Sequence, residues 1–215
     1  MNQLKTSLLA LVAAFTIIAC KNEQRKINKE PIENNESSSI ENPLQEDQNN
    51  EFQKTLTFQN ISFDISTNGE GSIRELAIES KGLKTGDQKL VSELDGQAVD
   101  AEIGDLNSDG YPEILIYTMS AGSGSYGNVI GYSVNNGKSL SQIYFPEISE
   151  NKDASRGYMG HDEFAIVETT LVRKFPVYKD TDTNNNPTGG TRQIEYKLKD
   201  GEASRIFVIN KISEF

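Results

Sequence analysis

A chain of 215 residues with a formal net charge of -11 is a poor partner for nucleic acid or an anionic membrane surface, and its length suggests one domain with an appended tail. At 35% hydrophobic and 25% charged residues, its composition is that of an ordinary soluble protein. The acidity gives solubility and would attract a basic protein partner.

Residues 1–19 read as a signal peptide. Lys5 supplies the positive start, and Leu8 to Ile18 (LLALVAAFTII) is an apolar run too short to span a bilayer. The run ends in Ile17-Ile18-Ala19-Cys20, which resembles a bacterial lipobox. Cys20 is the only cysteine, so no internal disulfide can form, and lipidation gives the thiol a use. Residues 20–52 then combine the lipidated cysteine with a tether rich in Asn, Glu, Ser and Gln. Such a segment buries too little apolar surface to offset its ordering entropy. Lys21-Asn22-Glu23 carries no retention aspartate. That favours the outer membrane, with the domain in the periplasm or at the cell surface.

From residue 53 to 215 the hydrophobic period is two. Thr55 to Phe58 and Ile61 to Ile65 alternate around a Gln59-Asn60 hairpin connection. Strand-like runs follow at Ile73 to Ile78, Ala98 to Ile103, Glu113 to Met119, Val129 to Val134 and Leu140 to Phe145. Four more lie at Glu163 to Val167, Leu171 to Tyr178, Thr191 to Leu198 and Arg205 to Asn210. Asn68-Gly69, Asp95-Gly96, Asp109-Gly110, Asn136-Gly137, Gly189-Gly190 and Asp200-Gly201 punctuate them, and Asn136-Gly137 and Asp200-Gly201 are the strongest hairpin signals. No segment shows a long helical period. The expected fold is all-β, an antiparallel sandwich or barrel with protruding hairpin loops. Tyr117, Tyr132, Tyr144 and Phe145 fall at strand spacing and read as core or sheet-face residues.

Three segments carry chemistry. Asp105-Leu-Asn107-Ser-Asp109-Gly110-Tyr111-Pro-Glu113 places oxygen donors at alternate positions and a glycine sixth, like the first half of a calcium loop. The twelfth position is Ile116, which excludes an EF-hand. A loop between two strands would close with Glu113, using Asp105, Asn107, Asp109 and the Tyr111 carbonyl. Structural calcium stiffening the following hairpin is one reading, and an Asx-rich turn capping its own amides is the other. The second segment, Gly122-x-Gly124-x-x-Gly127, matches a dinucleotide fingerprint but has a strand on both sides, so it lacks the helix N-terminus that phosphate needs. Its merits are different. It offers one aromatic side chain, Tyr126, among small hydroxyl residues, and no charge from Tyr117 to Asn136. The third is Arg156 to His161, Gly-flanked and aromatic. His161 is the only histidine, beside Asp162 and Glu163, and reads as a surface polar residue rather than a catalytic base. Acids are plentiful enough that composition alone leaves a two-carboxylate glycosidase open.

Ser123-Gly124-Ser125-Tyr126, preceded by DLNSDGYPEILIY and followed by RGYMGHDEFAIVE and FPVYKDTDTNNNPTGGTRQIEYKL, resembles the periplasmic inhibitors of invertebrate-type lysozyme. The blocks occur in order over about Gln53 to Phe215. The resemblance implies an all-β inhibitor without catalysis of its own, requiring no cofactor, whose Ser-Gly-x-Tyr loop enters the lysozyme cleft like a key. Ser123 and Tyr126 would face the catalytic carboxylates, and Gly124 would allow close approach. A second inserted loop is also implied, with Tyr158, Met159 and His161 as its candidates. The partner would then be an invertebrate-type lysozyme, with membrane contact only through the lipid; monomer and homodimer stay open. The alternative function is a calcium-dependent envelope module binding glycan or protein.

Overall fold

The computed structural model describes residues 52–215. The expected signal peptide, Cys20 and nearly all of the tether lie outside the described residues. Twelve strands follow in chain order: β1 (Gln53–Phe58), β2 (Ile61–Asn68), β3 (Ile73–Lys81), β4 (Gln88–Asp95), β5 (Gln97–Gly104), β6 (Glu113–Met119), β7 (Gly127–Asn135) and β8 (Ser139–Ile143). A 3-10 turn (Ile148–Glu150) and a short helix α1 (Lys152–Ser155) intervene before β9 (Glu163–Val167), β10 (Thr170–Pro176), β11 (Thr191–Asp200) and β12 (Arg205–Glu214).

The strands form three open antiparallel meanders, β1 to β4, β5 to β8 and β9 to β12, each in sequence order. Two hydrophobic cores place the β5–β8 sheet between the others. Ile114, Ile116, Tyr132 and Val134 pack with Phe63, Leu76 and Ile78 of the first sheet. Leu115, Tyr117 and Val129 pack with Leu171, Ile194 and Phe207 of the third. The result is a three-layered sandwich with no closed barrel.

β6 shows why. Successive strand side chains point to opposite faces, and both faces of this strand are buried. Its sequence, EILIYTM, therefore holds a continuous apolar run from Ile114 to Tyr117 rather than an alternation, and six of its seven residues are buried. A register slip of one residue would exchange the two cores.

Turn chemistry sets the connections. Asn136 and Gly137 both have positive φ, 53° and 71°, as a tight two-residue hairpin demands. At the end of β11, Gly201 donates its amide to the Ser204 carbonyl at 3.0 Å and turns the chain into β12. Several strands run past their expected ends, as β12 does from Asn210 to Glu214, and two further departures have a physical reason. β8 stops at Ile143 because Tyr144 turns to the third sheet, where its amide donates to the Arg205 carbonyl at 2.9 Å and it bridges Ile206. β4 is a strand that the alternation does not reveal: exposed Val91 and half-buried Ser92 reverse the expected polarity at the sheet edge.

Replacing Leu115, which is fully buried in the double-faced strand, by alanine is expected to cost about 3 kcal/mol. For a domain of this size that lowers the melting temperature by roughly 6–12 °C. Val91→Ala at the exposed edge is expected to stay within about 0.5 kcal/mol of wild type. Thermal denaturation followed by circular dichroism checks both.

Candidate functional site

The segment after β6 is a closed loop. Its neck is tied where the Ser120 amide donates to the Tyr126 carbonyl at 2.9 Å and the Tyr126 amide donates to Ser120 Oγ at 3.1 Å. The tip is tightened by the Ser125 amide donating to the Gly122 carbonyl at 3.2 Å. Ser123 is exposed, and Tyr126 keeps 48% of its surface in solvent.

The second loop lies directly against the first. Asn151 caps α1 by accepting the amides of Asp153 and Ala154, each at 3.0 Å, and the chain then runs through Arg156 to His161. The His161 amide is shared between the carbonyls of Gly124 at 3.0 Å and Ser125 at 3.1 Å. This closeness dictates Gly160. Its φ is +88°, and a β-carbon there would sit 1.9 Å from the Gly124 carbonyl oxygen. Tyr158 lies beneath, its ring edge-on to Tyr126 at 5.6 Å, and Met159 is exposed. All seven candidates, Ser123, Gly124, Ser125, Tyr126, Tyr158, Met159 and His161, therefore belong to one pair of touching loops.

The sequence reading assigned no chemistry to Thr181–Gly190, yet this loop joins the same face. Asn184 Nδ2 donates to the Ser123 carbonyl at 3.1 Å, and Asn184 Oδ1 lies 3.4 Å from His161 Nε2. Tyr178 stacks on the His161 ring at 6.4 Å and donates its hydroxyl to the Asn184 carbonyl at 2.9 Å. Asp182 shapes this loop by accepting the Lys179 and Thr188 amides and the Thr188 hydroxyl, each at 2.8 Å. The Lys179 amide, followed by the Thr188 contacts, holds the Asp182 carboxyl below its ordinary pKa.

Under the loops lies a buried ion pair that sequence reasoning missed. Arg173 Nε meets Asp162 Oδ1 at 2.6 Å, with side chains 3% and 0% exposed. Asp162 Oδ2 accepts the Tyr158 hydroxyl at 2.5 Å and the Gly127 amide at 2.7 Å. Arg173 Nη2 donates to the Tyr158 hydroxyl oxygen at 2.7 Å and to the Gly127 carbonyl at 3.4 Å. Burial opposes the guanidinium charge, but hydrogen bonding and attraction from Asp162 outweigh it, and the Arg173 pKa is raised. Burial also pushes the Tyr158 hydroxyl up. A signal existed. Leu171, Arg173 and Phe175 share one face of β10, so an arginine stands at an inward position of an apolar strand.

The Asp105–Glu113 loop lies elsewhere. It enters β6 while the Tyr126 loop leaves it, so the two occupy opposite ends of that strand and any stiffening would act only along it. Its oxygens are engaged within the chain. Asp105 accepts the amides of Asp109 at 3.1 Å and Gly110 at 2.9 Å, and Asn107 Oδ1 accepts the Asp109 amide at 3.0 Å. Asp109 accepts the Tyr111 amide at 2.9 Å and pairs with Arg205 Nη2 at 2.7 Å. Glu113, fully buried, accepts the Leu106 amide at 2.8 Å and the Ser133 hydroxyl at 2.5 Å, and faces Arg205 Nη1 at 3.4 Å. Burial raises the Glu113 pKa against these contacts. Among the described residues no group of three or more His, Cys, Asp or Glu could hold a metal ion. In this arrangement the loop's oxygens cap its own amides, as an Asx-rich turn would, and the Arg205 guanidinium stands against Asp109 and Glu113.

Two outcomes test these assignments. A calcium ion at a hundred times its dissociation constant would stabilise the fold by about 2.7 kcal/mol. The melting curve is instead expected to coincide in calcium and in chelator, while Arg205→Ala, which strips Glu113 of its cation, costs about 3 kcal/mol. For Asp182, whose folded pKa is depressed, the stabilising contacts are fully present above the ordinary Asp pKa of about 3.9 and are lost as pH falls through the lower folded value. The Lys179 and Thr188 amide resonances are expected to titrate with a midpoint below about 3.9.

No protein-family profile, curated protein or solved structure matches the chain, so the reading of this face rests on its own residues.

Proposed function

We propose that the chain is an inhibitor of an invertebrate-type lysozyme, held at the bacterial envelope by a lipid on Cys20, that occludes the enzyme's cleft with the Ser123–Tyr126 loop. The observation that carries this reading is the junction of the loops. The Tyr126 hairpin, the Tyr158–His161 segment and the Asn184 loop form one contiguous face, with Tyr126 half in solvent at the neck of its hairpin.

The physics of occlusion suits this geometry. Glycoside hydrolysis needs two carboxylates flanking the scissile bond, with room for sugar and water. A loop entering such a cleft must bring donors and no negative charge. The stretch from Tyr117 to Asn136 contains no charged residue in a protein of net charge -11. The Ser123 hydroxyl and loop amides would donate to the carboxylates, and hydrogen bonds to charged acceptors are the stronger kind. Tyr126 would fill a sugar subsite as a rigid aromatic anchor. Because the loop is already tied to Asn184 and His161, little ordering entropy remains to oppose binding. The negative net charge would speed encounter with a basic enzyme. The chain supplies no chemistry in this scheme; its action is exclusion of substrate.

The test is residual lysis of cell walls by an invertebrate-type lysozyme titrated with the intact chain, wild type beside Ser123→Ala/Tyr126→Ala. Stoichiometric inhibition by the wild type is expected, weakened about 100-fold or more in the double variant, as loss of a central aromatic anchor implies. A folded wild type that leaves lysis undiminished would sink the proposal.

A further inference from the structure

A cleft of about 350 Å3 opens beside Tyr126. Separate parts of the chain line it: Asp95 at the end of β4, Tyr126, Phe145 and Glu147 from the stretch after β8, Tyr158 from the second loop, and the buried Arg173. Its size lies at the small end for a ligand pocket and is enough for one long side chain. Two features define its chemistry. The first is aromatic: Tyr126, Tyr158 and Phe145 bring three rings. The second is charge: Asp95 and Glu147 are exposed and, among the described residues, neither stands in an ion pair. Among the described residues the one cation lining the cleft, Arg173, is 3% exposed and already matched by Asp162 at 2.6 Å. The mouth of the cleft is therefore acidic over an aromatic lining.

A planar cation satisfies both features at once. A guanidinium stacks on aromatic faces and binds carboxylates through paired N–H donors. A neutral sugar would use the rings and gain nothing from the uncompensated charge. We infer that this cleft receives an arginine side chain of the protein that the Tyr126 loop engages. The identity of that protein rests on the proposed function, but the cation chemistry of the cleft does not, so the two are tested apart.

In the first experiment, amide spectra of the isotope-labelled intact chain are titrated with N-acetyl-arginine amide and, separately, with di-N-acetylchitobiose. Shifts at Ser120, Tyr126 and Glu147 with the arginine probe alone, lost in the Asp95→Asn/Glu147→Gln variant, are the expected result. Both replaced side chains are exposed, and retained amide dispersion verifies the variant's fold. No shift with the arginine probe, or shifts with chitobiose alone, overturns the inference. In the second experiment, the same variant is assayed for lysozyme inhibition over a range of salt. About tenfold weakening with a flattened salt dependence is expected, as the loss of two rim charges facing a cation implies. A variant that inhibits as well as the wild type removes the arginine pocket and leaves the inhibitor reading standing. A wild type that binds the arginine probe but inhibits no lysozyme does the reverse.

Discussion

The ion pair between Arg173 and Asp162 is the constraint on which the face formed by the Tyr126 and His161 loops depends. Each charge is removed from water, which costs several kcal/mol per ion unless the pair and its remaining hydrogen bonds are well made. Here they are. Asp162 accepts from Arg173, Tyr158 and Gly127, and Arg173 packs against the rings of Tyr158 at 4.9 Å and Phe164 at 5.4 Å. A well-packed apolar pair of the same volume would be comparably stable, so stability alone does not call for the ions. What they add is direction. Gly127, the first residue after the Tyr126 loop, has its amide fixed by one ion and its carbonyl by the other. The strand β10, the second loop and the start of β7 thus share one set of directional bonds, and the tip inherits its aim from them. No side chain fits at Gly127, where a β-carbon would lie 2.6 Å from Asp162 Cβ.

That aim has to be transmitted through the layers. The interface between the first and middle sheets is aliphatic and aromatic, with Phe63, Leu76, Ile78, Ile114 and Ile116 meeting across it. The interface between the middle and third sheets holds a core of its own but is also stitched by polar contacts on the other face of β6. Glu113 at one end of the strand meets Arg205 of β12. Towards the other end the Tyr117 hydroxyl donates to Glu102 at 2.5 Å, and the same carboxylate oxygen accepts the Ile166 amide at 2.7 Å. Apolar burial is non-directional, whereas hydrogen bonds fix one alignment. The stitched interface is the one that sets the Tyr126 loop, carried by β6 and β7, against the loops carried by α1, β9 and β10.

Much of this was legible in the sequence because short-range rules governed it. β6 and β9 run over the residues that their apolar pattern marks, and the Asn136-Gly137 hairpin follows from two residues that tolerate positive φ. β4 escaped because an edge strand with an exposed valine obeys the period only weakly. The pairing of the loops was not legible, since Gly124 and His161 meet only through tertiary structure. Gly160 gave a hint, being a glycine where the chain has no turn of its own to make, but its reason lies in the Gly124 carbonyl. The turn-forming side chains of the Asp105 loop were readable in the sequence. The contact with Arg205 was not, because Arg205 is 96 residues from Asp109 in the chain. Donor spacing records the geometry of a loop; what fills its charge is decided by the fold.

The distribution of charge on the face follows from the same constraint. Asp162 follows His161 directly and would make the loops acidic if it faced solvent. Arg173 draws it inward and matches it, leaving a neutral tip of Ser, Gly and Tyr. Asp95 and Glu147 sit at the cleft beside Tyr126 rather than on the tip. A surface built this way is neutral where it enters and acidic where it borders. Under the proposed function, such a surface would suit an enzyme with carboxylates inside its cleft and basic residues around the rim. Loss of Arg173 alone would therefore do more than loosen the loop. It would leave an unpaired charge under the tip, in the one place where the proposed partner's own carboxylates make negative charge unwelcome.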